Sequence, residues 1–184
     1  MKIRSRIVTI FLVMLAMFTI RLVFLKKSIT NEKAILAQGG QEFGAQNTKF
    51  LTLLHIMIYV FAVIEALLKQ IKFDGISFLG LLLMLLSVAV LYEVTRILGD
   101  IWTVKLMLAK DHKYVDHWLF KTIKHPNYFL NIAPELVGIA LLCHAKITAM
   151  LLFPCYIVVI YLRIREENKL LSEVIIPNGT RTKP

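Results

Sequence analysis

In the run Lys124-His125-Pro126-Asn127-Tyr128, a histidine stands directly before a proline; further along, Arg163 is followed by Glu166 and Glu167. Proline is favoured in the first turn of a helix, where its missing N–H is not needed. The spacing therefore predicts a helix start with His125 as cap and Asn127 and Tyr128 on the first turn. The free amides and dipole of such a start attract an anion such as a carboxylate, and Lys121 and Lys124 flank it. A blander reading, interfacial anchoring of His125 and Tyr128 at headgroup level, has equal weight on these residues alone. Pro134 and Glu135 shift the balance. A proline inside a span removes a backbone bond, and a carboxylate in lipid must be paired, neutral or facing a cavity. Together with Asn131 they predict a helix that borders a polar pocket. Arg163, Glu166 and Glu167 fall at i, i+3 and i+4, on one helical face. Solvated ion pairing is the expectation for Glu167.

These residues sit in a chain made for lipid. It has 184 residues, 58% hydrophobic, with apolar runs of membrane-spanning length. The expectation is an all-α integral membrane helical bundle of about five transmembrane helices, one domain over 1–184. Amino-terminal spans occupy 7–95, and the cofactor-binding and catalytic part occupies 100–173. The first span covers about Ile7 to Leu25, with Arg21 snorkelling from one end. A polar connector follows to Lys49, holding a short interfacial helix at Asn31–Leu36 that Gly39-Gly40 break. Further spans are expected at about Phe50–Leu68, Ile76–Leu91, Tyr128–Cys143 and Ala149–Leu162, the last two as a tight hairpin. Glu93, Arg96 and Asp100 share a face beyond the third, the last helix extends into water after Arg163, and Pro177–Pro184 reads as a frayed tail. Cys143 and Cys155 read as small hydrophobes, and no spacing suggests a metal site.

Net charge is +10, with 22 Lys and Arg against 12 Asp and Glu. The basic residues lie between spans rather than on one soluble face, so no nucleic-acid partner is expected; the charge points to anionic membrane lipids and to orientation. With the amino terminus outside, Lys26, Lys27, Lys33, Lys49, the stretch from Arg96 to Lys124 and everything from Arg163 onward fall on the cytoplasmic side. Only Lys2, Arg4, Arg6, Lys69, Lys72 and Lys146 remain opposite. The chain is thus read as a multi-pass cell-membrane protein whose site faces the cytoplasm.

His112-Lys113-Tyr114-Val115, then Phe120, then Lys124 to Tyr128, and Arg163-x-x-Glu166-Glu167-x-x-Leu170 resemble the carboxyl-terminal signature of the isoprenylcysteine carboxyl methyltransferase family. The likeness covers roughly the last eighty residues, with Trp102-Thr103-Val104-Lys105 as an upstream extension. Asn31-Glu32-Lys33 and Gly40 to Gly44 look like the family's bacterial branch. Lys124 stands where an arginine is common, and the chain lacks the frequent Phe-Gly and tyrosine-rich tail, departures that bear on the acceptor. The resemblance implies an S-adenosylmethionine site formed by Lys105, His112, Lys113, Tyr114, Val115, Phe120, His125, Pro126, Asn127, Tyr128 and Glu166. It also implies O-methylation of a carboxylate or acidic enol on a lipid-like acceptor, prenylated or of long-chain polyketide type. Arg163, Glu135 and Tyr128 are the catalytic candidates: Arg163 to orient the acceptor, the other two near its acidic oxygen. In-line methyl transfer needs alignment and desolvation more than a general base. Two other classes compete: a membrane NADPH-dependent reductase of steroid-reductase-like architecture, and a non-enzymatic membrane subunit. The latter should carry its polar groups near mid-membrane in repeated, broken spans.

Overall fold

The computed structural model describes residues 2–110, 113–175, 177 and 180–182. Backbone groups in lipid must satisfy one another, so the long apolar runs wind into helices. These are α1 (Lys2–Ala37), α2 (Ala45–Leu68), α3 (Gly75–Leu98), α5 (Ala133–Leu142) and α6 (Lys146–Leu170), with a short α4 (Trp118–Thr122) between α3 and α5. Val8–Ala37, Ala45–Leu68, Gly75–Ile101 and Lys146–Ile175 are each long and apolar enough to cross a membrane, whereas Asn127–Leu142 is shorter. The all-α membrane bundle stands. Two small strand pairs decorate one end: β1 (Gln41–Phe43) lies antiparallel to β2 (Leu106–Leu108), and β3 (Lys113–Val115) lies parallel to β4 (Thr180–Thr182).

Several expectations need correction. The connector after residue 25 is not separate, because α1 runs unbroken to Ala37. Nothing between Lys26 and Ala37 is glycine or proline, and Ser28, Asn31 and Glu32 are buried against the chain that follows α3. Gly39, at φ +85°, then makes the break. The tail is not simply frayed, since residues 180–182 pair with β3. The turn between α5 and α6 is tight, but the two helices do not form a packed hairpin: α5 lies chiefly on α3, and α6 chiefly on α2.

Close backbone approach explains the α3–α5 contact. A Cβ on Gly80 would fall within contact distance of Leu142 N and the Gly138 carbonyl, and one on Gly138 would strike Met84 and the Gly80 carbonyl. Small residues at such crossings let membrane helices gain van der Waals contact where lipid offers no hydrophobic drive. Around this seam Ile58, Met84, Ile139 and Leu142 are fully buried, while Leu53, Leu86 and Val158 face outward. Opposite the strand pairs, Glu65 stands in for a missing cap on α6. It accepts from Ile147 N at 3.1 Å, Thr148 N at 2.9 Å and Thr148 Oγ1 at 2.7 Å, and pairs with Lys69.

At mid-bundle Arg21 turns inward rather than snorkelling. Its Nη2 lies 2.6 Å from Glu135 Oε2 and donates to Ser87 Oγ and Asn131 Oδ1, each at 2.6 Å. Tyr59 donates to Glu135 Oε1 at 2.6 Å, and His55 Nε2 lies 3.6 Å from Oε2. Glu93 and Arg96 form an exposed ion pair. Cys143 and Cys155 are free thiols.

Overpacking a closed seam typically costs about 1–3 kcal/mol. Gly80→Ala is expected to lower the melting temperature of the detergent-purified protein accordingly. Gly75→Ala, where a Cβ meets nothing within 4 Å, should leave it unchanged.

Candidate active site

The chain leaving α3 has little regular structure, so other elements must hold it. Asn31 of α1 donates to the carbonyls of Gly99 at 3.1 Å and Trp102 at 2.8 Å. Ser28 Oγ accepts from Val104 N at 2.9 Å and donates to Glu32 at 2.6 Å. Lys105 lies 3.1 Å from Glu42 and 3.5 Å from Glu32, and its hydrogen bond to Glu42 holds its pKa above the ordinary lysine value.

Beyond α4 the chain enters the next helix at Pro126, as the sequence predicts. The His125 carbonyl accepts from Tyr128 N and Phe129 N, so part of the expected anion cradle is already filled. Asn127–Ile132 is π-helical, with the Ala133 amide bonding to the Tyr128 carbonyl. This wider turn brings the chain to Pro134, which sits in the first turn of α5 where its missing donor is tolerated.

The His125 ring faces α6. Its Nδ1 lies 3.3 Å from Glu167 Oε1 and its Nε2 lies 3.0 Å from Asn168 Oδ1. Tyr128 donates its hydroxyl to Glu167 Oε2 at 2.7 Å and accepts from Arg163 Nε at 3.3 Å. Arg163, only 3% exposed, also donates to Thr48 Oγ1 at 2.6 Å and to the Val104 carbonyl at 3.1 Å. One guanidinium thus ties α6 to α2, to the chain after α3 and to the π-helical start.

Arg163, Glu167, His125, Tyr128 and Val104 line a cavity of about 280 Å³. Its lining combines polar groups, Arg163, Glu167, His125, Tyr128 and Lys124, with apolar ones from α1, α3 and the turn after α3, Ile35, Val94, Leu98 and Trp102. Of the residues singled out from the sequence, Lys105, Val115 and Phe120 also line it, as do Pro126 and Asn127. Lys113 and Tyr114 lie in β3, and His112 lies outside the described residues. Two carboxylates lie elsewhere. Glu166 packs against Gly44, which is at φ +58° and where any Cβ would meet the carboxylate. Glu135 is paired with Arg21 in the bundle, 2% exposed, and is absent from the cavity lining.

Glu167 is the correction of most consequence: it is not a solvated ion pair but the link between His125 and Tyr128. Its i+4 relation to Arg163 placed it on the right face but did not set it apart from Glu166 at i+3. Thr48 and Asn31 carry no local signal, since their partners lie far away in sequence.

Residues 78–173, just over half of the chain, match the isoprenylcysteine carboxyl methyltransferase family. The chain belongs to that family. It is also 39% identical over 155 residues to an uncharacterized protein of Haemophilus influenzae, covering 84% of this chain and 90% of that one. It is 32% identical over 144 residues to the uncharacterized protein YpbQ of Bacillus subtilis, covering 78% and 84% respectively. No solved structure matches it. The methyltransferase family match spans α3 to α6 and so takes in Arg163, Glu167 and the helix start at Pro126.

His125 makes the site pH-sensitive. Burial alone would lower its pKa, but the hydrogen bond and charge of Glu167 outweigh it, so the folded value lies above the ordinary one. A raised value means that the stabilisation is complete below about pH 6.5, the unfolded pKa, and is lost as pH rises through the folded value. Melting curves of the wild type should therefore fall as pH climbs from about 6.5. Those of His125→Gln should stay flat across the same window.

Proposed function

We propose that this chain is a membrane-embedded, S-adenosylmethionine-dependent O-methyltransferase acting on a carboxylate or acidic enol oxygen of a lipid-like acceptor. The observation that carries this reading is the mixed lining of the cavity: a buried arginine, a histidine and a glutamate together with apolar residues from the ends of α1 and α3. Family membership supports the reaction class.

The donor set fits such a cofactor. Glu167 suits an ammonium group, and Tyr128 and Phe120 suit an adenine face or a sulfonium. Lys124 and the amide of Asn127 suit a carboxylate. When bound, S-adenosylmethionine supplies an activated methyl group on sulfur. Among the described residues, three of the five N–H donors of Arg163 are used, by Tyr128, Thr48 and Val104. The other two are left to orient an anionic acceptor oxygen, which needs no base to remove a proton. The Tyr128 hydroxyl, held between Arg163 and Glu167, fixes that guanidinium. Ile35, Val94, Leu98 and Trp102 suit a hydrocarbon tail and exclude water. Glu135 contributes from a distance, by holding the helix that presents Asn127 and Tyr128.

Titration calorimetry of the detergent-solubilised protein should show binding of S-adenosylmethionine and not of NADPH; the reverse result would establish the reductase reading. Glu167→Ala and His125→Ala are each expected to weaken cofactor binding at least about tenfold, roughly 1.4 kcal/mol. Glu166→Ala, pointing at Gly44, should do less. Arg163→Lys should retain cofactor affinity while reducing radiolabelled methyl transfer into a lipid extract by about 10²-fold.

The charge distribution supports a cytoplasmic site. In a variant without native cysteines, an impermeant thiol reagent applied to intact cells should label Lys72→Cys. It should spare Thr30→Cys, Lys113→Cys and Thr180→Cys until the cells are broken.

A further inference from the structure

A donor-only arginine deep in the bundle sets the chemical polarity of one cavity residue. Arg21 Nη2 and Ser87 Oγ both donate to Asn131 Oδ1, at 2.6 and 2.9 Å. A guanidinium has no acceptor and does not deprotonate in proteins. The Asn131 amide therefore cannot be turned the other way, because its NH₂ would then face Arg21 donor to donor. With Oδ1 so fixed, Asn131 must donate from Nδ2, and the group it meets, at 2.7 Å, is Asn127 Oδ1. Asn127 lines the cavity. Its oxygen is taken, and among the described residues its Nδ2 has no hydrogen-bond partner. Amide orientation is ordinarily a choice made from the network; here the network admits one answer.

We infer that Asn127 presents an N–H donor, never an acceptor, to whatever occupies the cavity, and that Asn131, Ser87 and Arg21 are positioning residues for that donor. The ligand group at this point is a hydrogen-bond acceptor, either a carboxylate oxygen or an unprotonated ring nitrogen. The ligand's identity rests on the cofactor reading above; the direction of the amide does not.

Two arms test this. In the first, calorimetry with S-adenosylhomocysteine is run on the wild type, Asn127→Ala and Asn127→Asp. This probe lacks the sulfonium charge that a new carboxylate would attract. Asn127→Ala removes the donor and should weaken binding about tenfold. Asn127→Asp keeps the bond from Asn131 but turns an acceptor toward the ligand's acceptor, so it should bind at least about tenfold more weakly than Asn127→Ala. Equal or tighter binding by Asn127→Asp would overturn the inference. Repeating the series with 5′-methylthioadenosine names the atom: the Asp penalty disappears if the carboxylate is read and persists if a ring nitrogen is, either result keeping the donor in place.

The second arm needs no ligand. Side-chain amide hydrogen exchange is followed by NMR on protein labelled at asparagine nitrogen. In the wild type the Asn127 NH₂ should exchange freely and that of Asn131 slowly. Asn131→Asp still accepts from Arg21 and Ser87 but can no longer donate, so the Asn127 amide must turn and its exchange should slow by about tenfold. A protected Asn127 NH₂ in the wild type would sink the inference even if the cofactor binds. Absence of cofactor binding with the predicted exchange pattern would instead sink only the cofactor reading.

Discussion

The ion pair between Arg21 and Glu135 is the constraint on which the bundle depends. Two charges withdrawn from water each cost several kcal/mol unless paired and hydrogen-bonded, and breaking such a pair costs far more than forming it gains. Here α1 supplies the cation, α5 the anion, α2 the Tyr59 hydroxyl and His55, and α3 the Ser87 hydroxyl. Only one rotation of α5 about its axis satisfies all of them. That rotation also decides which face of the preceding π-helical segment meets the cavity, so the burial of Glu135 and the placement of Tyr128 have one cause.

The cavity is assembled from distant pieces, not carried by one motif. Its apolar lining is held because α1 runs on to Ala37 and lends Asn31 and Ser28 to a stretch of chain that cannot satisfy its own carbonyls and amides. Its polar groups are held because Arg163 finds acceptors on α2 and after α3 as well as at Tyr128. The β1–β2 pair and the bond of Lys105 to Glu42 close the same corner. Secondary structure here is a means of bringing single polar atoms within bonding distance in a place that water does not freely reach.

Helix existence was legible in the sequence because hydropathy is a local property, and the entry at Pro126 was legible because proline constrains its own backbone. Arg163, His125 and Tyr128, which line the cavity, stood out in the sequence by residue type and spacing. Arg21 was misread because a single cation near the end of an apolar run looks the same whether it snorkels or pairs; the deciding partner, Glu135, lies on another helix. Glu167 was set aside for the converse reason, since adjacent glutamates on a helix diverge by about 100°, and only the location of His125 says which one is inward. The continuation of α1 was missed because the polarity of residues 26–37 suggested water, whereas Ser28, Asn31 and Glu32 meet protein.

The brevity of the apolar helix between α3 and α6 has an effect outside the protein. From Asn127 to Leu142 the helix rises roughly 24 Å, against a hydrocarbon core of about 30 Å. Phe129 and Val137 remain exposed along it. Acyl chains beside these residues must tilt or compress to meet so short a span, at a cost of fractions of a kcal/mol per Å of mismatch. A bilayer that meets this helix would therefore be drawn thin beside the segment whose first residues, Asn127 and Tyr128, line the cavity.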